Sequence, residues 1–234
     1  MSFFNSFAPK VNYNQKTLED EMGWKLTKYG SQNLLKKLSR TGKKIGKLSV
    51  FGKVERLSHM GNEHMFIVKK IDFSPNSNRS HIFATEINVG SKNNIGKVGP
   101  RVLAFRYTPF GGEYVMDNVE MGHSNAKVFS VANVKKQFSL ATWYSLRTLI
   151  QNFHKITRGQ HGDLHGDNIL VVQIGKNTYL RIIDYGAFRK SRELKSLGTP
   201  IKKHFGMNVY NVGKGQKFIR NKNQLKTIIK SREI

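Results

Sequence analysis

The chain has 234 residues, 40 of them Lys or Arg against 15 Asp or Glu, for a formal net charge of +25, and it contains no Cys. That length suits one sizeable domain or two small lobes, and 38% apolar content is enough to bury a core rather than leave a disordered chain. The absence of thiols excludes a disulfide framework and a thiolate zinc site, and no apolar run nears the roughly 20 residues of a bilayer-spanning helix. The opening "MSFFNSFAPKVNYNQ" lacks the charged-then-apolar order of a secretion signal, so an intracellular, cytoplasmic protein is expected.

In chain order, residues 1–30 predict an irregular or partly helical lead-in, and "SQNLLKKLSR" (31–40) a short basic amphipathic stretch. "KLSVFGKVERL" and "EHMFIVKKIDF" carry strand patterns. "SPNSNRSH" (74–81) is turn-rich. "IFATEINVGSKN" predicts a helix closing near Gly90. "RVLAFRYT" and "EYVMDNVEM", separated by Gly111-Gly112, predict a hairpin. From Val134 to Ile156 apolar residues fall near helical spacing, the longest helix candidate. "NILVVQI" and "TYLRIIDY" flank "GKN" and predict a second hairpin.

Two blocks carry much of the charge. "KKLSRTGKKIGK" (36–47) holds six basic residues and no acid, and the tail from Ala187 holds thirteen against Glu193 and Glu233. Such a surface suits polyanions: nucleic acid, an anionic membrane or an acidic protein. Aromatic residues are not interleaved with the basic runs, so base stacking is not expected.

The densest chemistry lies in "HGDLHGDNILVVQIGKNTYLRIIDYG" (161–186). Asp163, Asn168 and Asp184 are hard oxygen donors, and the predicted hairpin brings Asp184 back beside the loop at 161–168. Such donors suit magnesium when substrate phosphates complete its shell. A further acid free of the metal can take a proton from an attacking hydroxyl. Phosphoryl transfer asks for little beyond positioning and charge neutralisation. An alternative from the residues alone, half of a two-His-one-carboxylate iron site, leaves Asn168 and Asp184-Tyr185-Gly186 unexplained.

"HGDLHGDNILV" followed by "IIDYG" resembles the catalytic loop and metal-binding tripeptide of the protein-kinase-like superfamily. His161, Asp163 and Asn168 match the loop, with Gly162 where many members carry Arg, and Asp184-Tyr185-Gly186 matches the tripeptide with Tyr for Phe. Tyr there, with His-Gly-Asp, is similar to vaccinia-related kinases; His165 is similar to aminoglycoside phosphotransferase-like kinases. The resemblance extends from about residue 45 to 190. "IGKLSVFGKVERL" looks like the phosphate-covering loop, with Gly46 and Gly52 retained but Leu48 at the middle glycine. "FIVKKI" resembles the strand motif ending in Lys, with Lys69 the better match and Lys70 the fallback. Glu86 is the implied ion-pair partner. Met116 implies the gate position, and Asp117 to Val119 a hinge facing adenine with backbone groups.

The resemblance implies an α+β, bilobal fold: a basic lead-in at 1–44, an N-lobe of antiparallel sheet with one helix at 45–122, and a truncated, mostly helical C-lobe with a basic tail at 123–234. It implies ATP and Mg2+ as cofactors, with Asn168 and Asp184 as metal ligands. Asp163 is the implied base, Lys69 the phosphate contact and His165 a phosphate or loop contact. His161 is expected to pack under the loop and Asp167 to be a solvated turn residue. "LGTPIKKHFG" begins like a substrate-positioning loop, yet no Ala-Pro-Glu follows, and the small size is similar to compact kinases of large DNA viruses, for which a virion or host-cytoplasm location would follow. The expected activity is protein Ser/Thr phosphorylation, of an acidic target among others. A pseudokinase with a structural or nucleic-acid-binding role, and a small-molecule kinase, are the alternatives.

Overall fold

The computed structural model describes residues 16–45, 52–73, 79–131, 140–164, 166–190, 208–212 and 215–219. They form an α+β arrangement in which strands predominate. The strands β1 (Lys25–Leu26), β2 (Leu38–Lys44), β3 (Lys53–His59), β4 (Asn62–Asp72), β5 (Val102–Thr108) and β6 (Gly111–Asp117) lie side by side as β1-β5-β6-β4-β3-β2. Every pairing is antiparallel.

Alternation along the central strand β4 assigns its side chains to two faces. Phe66 and Val68 join Leu57, Leu103 and Val115 in one core. Ile71 joins Val102, Tyr114, Phe83 and Ile87 in another. Phe83 and Ile87 belong to helix α2 (Arg79–Gly90), whose buried positions Phe83, Glu86, Ile87 and Gly90 recur at three- and four-residue steps. Lys69 therefore faces the side of the sheet that α2 covers, and Lys70 faces away. Lys70 is 44% exposed and sits 3.6 Å from Asp72, which decides between the two lysines.

The lead-in departs from expectation. A short helix, α1 (Gln32–Lys36), starts at Ser31, whose hydroxyl accepts from the Leu34 N–H, and β2 then pairs with β3. Leu18, Leu35 and Leu38 are fully buried in the sheet's second core. The expected boundary at 44/45 thus cuts through the sheet itself. Too few apolar residues separate the lysines here to signal a strand; pairing with β3 supplies the order.

Below the sheet come β7 (Lys127–Ser130), helix α3 (Leu140–Thr157), β8 (Gly159–Gln160), β9 (Ile169–Ile174), β10 (Asn177–Ile182), β11 (Arg189–Lys190), β12 (Asn208–Val212) and β13 (Gly215–Ile219). The expectation of a mostly helical second half is corrected. Among the described residues it holds one α-helix and several short antiparallel sheets, β10-β9-β7, β11-β8 and β12-β13. Short strands such as Arg189–Lys190 carry no periodicity and exist only because a neighbour pairs with them.

Helix α3 anchors this half. Leu146, Leu149, Ile150 and Phe153 pack with Leu164, Ile169, Leu180, Ile182 and Tyr185 in one cluster. It closes on Arg158, left-handed at φ 54, whose N–H bonds to the His154 carbonyl at 2.8 Å. The predicted hairpin is present: β9 and β10 pair in register across a two-residue loop, Gly175-Lys176, one residue tighter than "GKN". No helix among the described residues is long and apolar enough to cross a membrane.

Candidate functional site

Three charged residues from three elements meet at one point. The Lys69 ammonium on β4 donates to Glu86 Oε1 of α2 at 2.7 Å and to Asp184 Oδ1 at 3.1 Å. Lys69 and Glu86 are almost wholly buried, while the Asp184 side chain stays 30% exposed. One cation among two carboxylates cannot neutralise both. Burial, reinforced by Asp184, lifts the Glu86 carboxyl to about 8 against the pull of Lys69. Burial would also raise Asp184, but the Lys69 charge and the hydrogen bonds from Glu86 and Lys69 outweigh it and hold Asp184 down to about 2. Burial opposes the Lys69 charge too, yet the two acids raise its affinity for the proton. Asp184 therefore keeps its charge facing solvent while Glu86 retains the shared proton.

Asp184 is left-handed, at φ 63 and ψ 70, a sparsely populated conformation for a residue with a side chain. Backbone contacts on both sides hold it there. The Ile183 N–H bonds to the Asn168 carbonyl at 2.9 Å. The Ile183 carbonyl meets His161 Nε2 at 2.9 Å. The Tyr185 hydroxyl donates to the Ile182 carbonyl at 3.1 Å, with its ring stacked on Phe153. His161 is buried against Phe153 and Tyr185, the packing role expected of it.

The loop before it is joined to the same strand pair. Asn168 is buried, and its Nδ2 donates to the Asp163 carbonyl at 2.8 Å. Asp163 and Asp167 are exposed. Gly162 is at φ 84, and a Cβ there would sit 1.8 Å from the Ala187 carbonyl oxygen, so no side chain fits.

Lys69, Glu86 and Asp184 line a cleft of about 430 Å³ between the sheet and the β9–β10 pair. Its walls are otherwise apolar: Val54 and Ile67 from the sheet, Met116 at the end of β6, Leu170 from β9. Asn118, Val119 and Glu120 form its edge. A second hollow, of about 360 Å³, is lined by Asp163, His81, Gly186 and Arg189. Asp184 lines both.

Two expected contacts lie elsewhere. Gly52 is not among the cleft-lining residues: its backbone abuts the Lys70 carbonyl, 2.5 Å from where a Cβ would stand. Val54, two residues on, reaches the cleft instead. Asp117 is also absent from the lining. Its carboxylate grips Arg101 at 2.7 Å and 3.1 Å, and its N–H bonds to the Arg101 carbonyl at 3.0 Å. Gly46 and His165 lie outside the described residues.

The sequence reading missed Leu170 and Glu120. Leu170 belongs to β9, a strand that the apolar run predicts, so a signal for it was available in the sequence. Glu120 had none. It binds the Arg56 guanidinium through both oxygens at 2.6 Å and His64 at 2.6 Å, tying β3 to the cleft edge. Burial would raise its carboxyl, but these partners hold it below the usual range.

Among the described residues no group of three or more His, Asp or Glu could hold a metal by itself. Asp184 with an amide oxygen of Asn168 is a donor set that needs further oxygens from a bound phosphate, which is the usual manner of magnesium. Comparison of the sequence with protein-family models and with curated proteins found no match.

Proposed function

We propose that the chain is an ATP- and Mg2+-dependent phosphotransferase of bilobal, protein-kinase-like architecture, with a protein Ser or Thr hydroxyl as acceptor. The observation that carries this is the convergence of Lys69, Glu86 and Asp184. They are 17 and 115 residues apart in sequence, yet meet at the inner end of an apolar cleft that continues past Asp184 into a second hollow holding Asp163.

The apolar walls from Val54, Ile67, Met116 and Leu170 suit a flat aromatic base, with the backbone at Val119 as its polar edge. Lys69, oriented by Glu86, contacts phosphate oxygens. Asp184 and Asn168 would hold the metal, which would supply charge neutralisation at the transferring phosphoryl group. Asp163 receives the acceptor hydroxyl in the outer hollow and takes its proton. Arg189 on that hollow's rim favours an acceptor flanked by acidic residues.

Purified protein incubated with labelled ATP and Mg2+, with casein, with a basic protein and with no added substrate, tests this. Transfer that requires Mg2+ and is strongest on casein is expected. Absence of transfer in all three arms, with nucleotide binding retained, would replace the enzyme by a nucleotide-binding scaffold.

A further inference from the structure

Three of the six basic residues in the block at 36–47 have carboxylate partners in the fold. Lys36 faces Glu19 at 3.6 Å, Arg40 binds Glu21 and Glu113 at 2.8 and 2.7 Å, and Lys43 binds Glu63 at 2.7 Å. A different region carries unneutralised charge. A concavity of about 1050 Å³ lies between the turn after α2, the end of α3 and β11. Lys28, Lys92, Lys97, Lys155, Arg158 and Lys190 line it, with no acid among the lining residues. None of the six forms an ion pair among the described residues, and none of the lining residues also lines the cleft.

These cations come from four separate stretches of chain, so no run in the sequence announces them. Their mutual repulsion costs stability in the free protein. Asn93, Asn94 and Asn152 add uncharged amides to the same walls, and Lys28 reaches across to Asn93 by a hydrogen bond. Phe188 is the one aromatic side chain in the lining, so a ligand here is held by its phosphates and not by stacked bases.

From this geometry we infer that the concavity is a binding site for the phosphodiester backbone of nucleic acid, read without regard to base sequence. Spaced phosphates meet spaced, unpaired cations, with the asparagines as neutral donors between them. A carboxylate-bearing protein segment carries charge only at its acidic side chains, whereas a nucleic-acid strand carries one on every backbone repeat. The site does not depend on the phosphotransfer proposed above: it shares no residue with the cleft, and only Phe188 with the hollow beside Asp163.

The test uses the full chain and a fluorescein-labelled 20-nucleotide oligothymidylate, with anisotropy measured across a salt series and no ATP. Binding is expected, with oligoadenylate within a few-fold. The quadruple variant Lys97→Gln, Lys155→Gln, Arg158→Gln, Lys190→Gln should flatten the slope of log affinity against log salt by about 3, and weaken binding about 10²- to 10³-fold at 0.1 M salt. A matched variant, Lys36→Gln, Lys37→Gln, Lys43→Gln, Lys44→Gln, should change the slope by less than about 1. Thermal melts of both variants check folding, and the groove variant should melt no lower than the parent; the double variant Lys97→Gln, Lys155→Gln, with about half the slope change, substitutes if the quadruple one does not fold. Equal losses in the two quadruple variants would show net charge acting without a site. An unchanged slope in the groove variant, or competition by polyglutamate of equal charge as strong as by unlabelled oligonucleotide, would overturn the assignment.

Discussion

Two ion clusters sit on opposite faces of the same sheet, one residue apart along β4 and β6. Lys69 stands opposite Tyr114 and Lys70 opposite Glu113. On one face Glu113 is gripped by Arg40 at 2.7 Å and Arg106 at 2.8 Å, and both arginines also bind Glu21. Arg40 also lies 3.6 Å from Glu55, so each arginine of this cluster is surrounded by carboxylate partners from the protein itself. On the other face Lys69 meets Glu86 and Asp184, where Glu86 keeps a proton and Asp184 presents its charge to a cleft. The same ingredients close on one another where arginines hold the carboxylates, and leave a charged carboxylate open to a cleft where a single lysine does.

The largest contrast comes from removing one carboxylate on each side. Asp184→Ala leaves Lys69 paired with Glu86, so no buried charge is orphaned. Phosphate transfer should fall about 10³-fold or more while urea denaturation changes little. Unaltered transfer to casein in this variant would remove the mechanism proposed here. Glu113→Ala should do the reverse. It strands part of the charge of Arg40 and Arg106 and should cost about 3 kcal/mol of stability, with turnover per folded molecule retained.

Asp163→Asn should lower turnover about 10²-fold, with nucleotide affinity unchanged by equilibrium titration. A loss of nucleotide binding instead would move Asp163 from the acceptor side to the nucleotide side.

Titration separates the clusters in opposite directions. Burial raises the Glu113 carboxyl, but Arg106 and Arg40 outweigh it and hold it below its ordinary 4.5. Its contribution is therefore complete above pH 4.5 and is lost as pH falls through the lowered value. Glu86 is raised to about 8. Its contribution is complete below 4.5 and is lost as pH rises through about 8. Denaturation midpoints should fall at both ends, with Glu113→Gln blunting the acid limb and Glu86→Gln the alkaline one. A Glu86→Gln profile that keeps its alkaline limb would contradict the charge distribution described for the cleft.

The smallest effect is expected at Arg101, 44% exposed and paired with Asp117. Arg101→Ala should cost about 0–1 kcal/mol, as exposed pairs do, and leave nucleotide binding unmoved. Weakened binding would show that Asp117 belongs to the cleft after all.

Much of this contrast was written in local pattern. Alternation in "MFIVKK", helical spacing in "IFATEINVG" and a hairpin around Gly175 place Lys69, Glu86 and Asp184 on elements that can meet. These signals survive in a single chain because each reflects a periodicity of two or 3.6 residues against a buried face. The strand at Leu38–Lys44 was not legible: its inward residues are few and its lysines dominate, so only pairing with β3 orders it. Short strands such as Gly159–Gln160 have the same cause.

The sequence by itself determined which residue types stand at the cleft and in what order, because an acid, an amide or a lysine cannot be supplied by folding. Only the tertiary structure decided how their charges are shared. It brought Lys69 to Asp184 across 115 residues and turned Asp117 away to Arg101. It also paired Lys36, Arg40 and Lys43 of the most conspicuous basic run with Glu19, Glu21, Glu113 and Glu63, while gathering six scattered cations into one hollow. Charge interactions depend on distance and burial, and neither exists until the chain has folded.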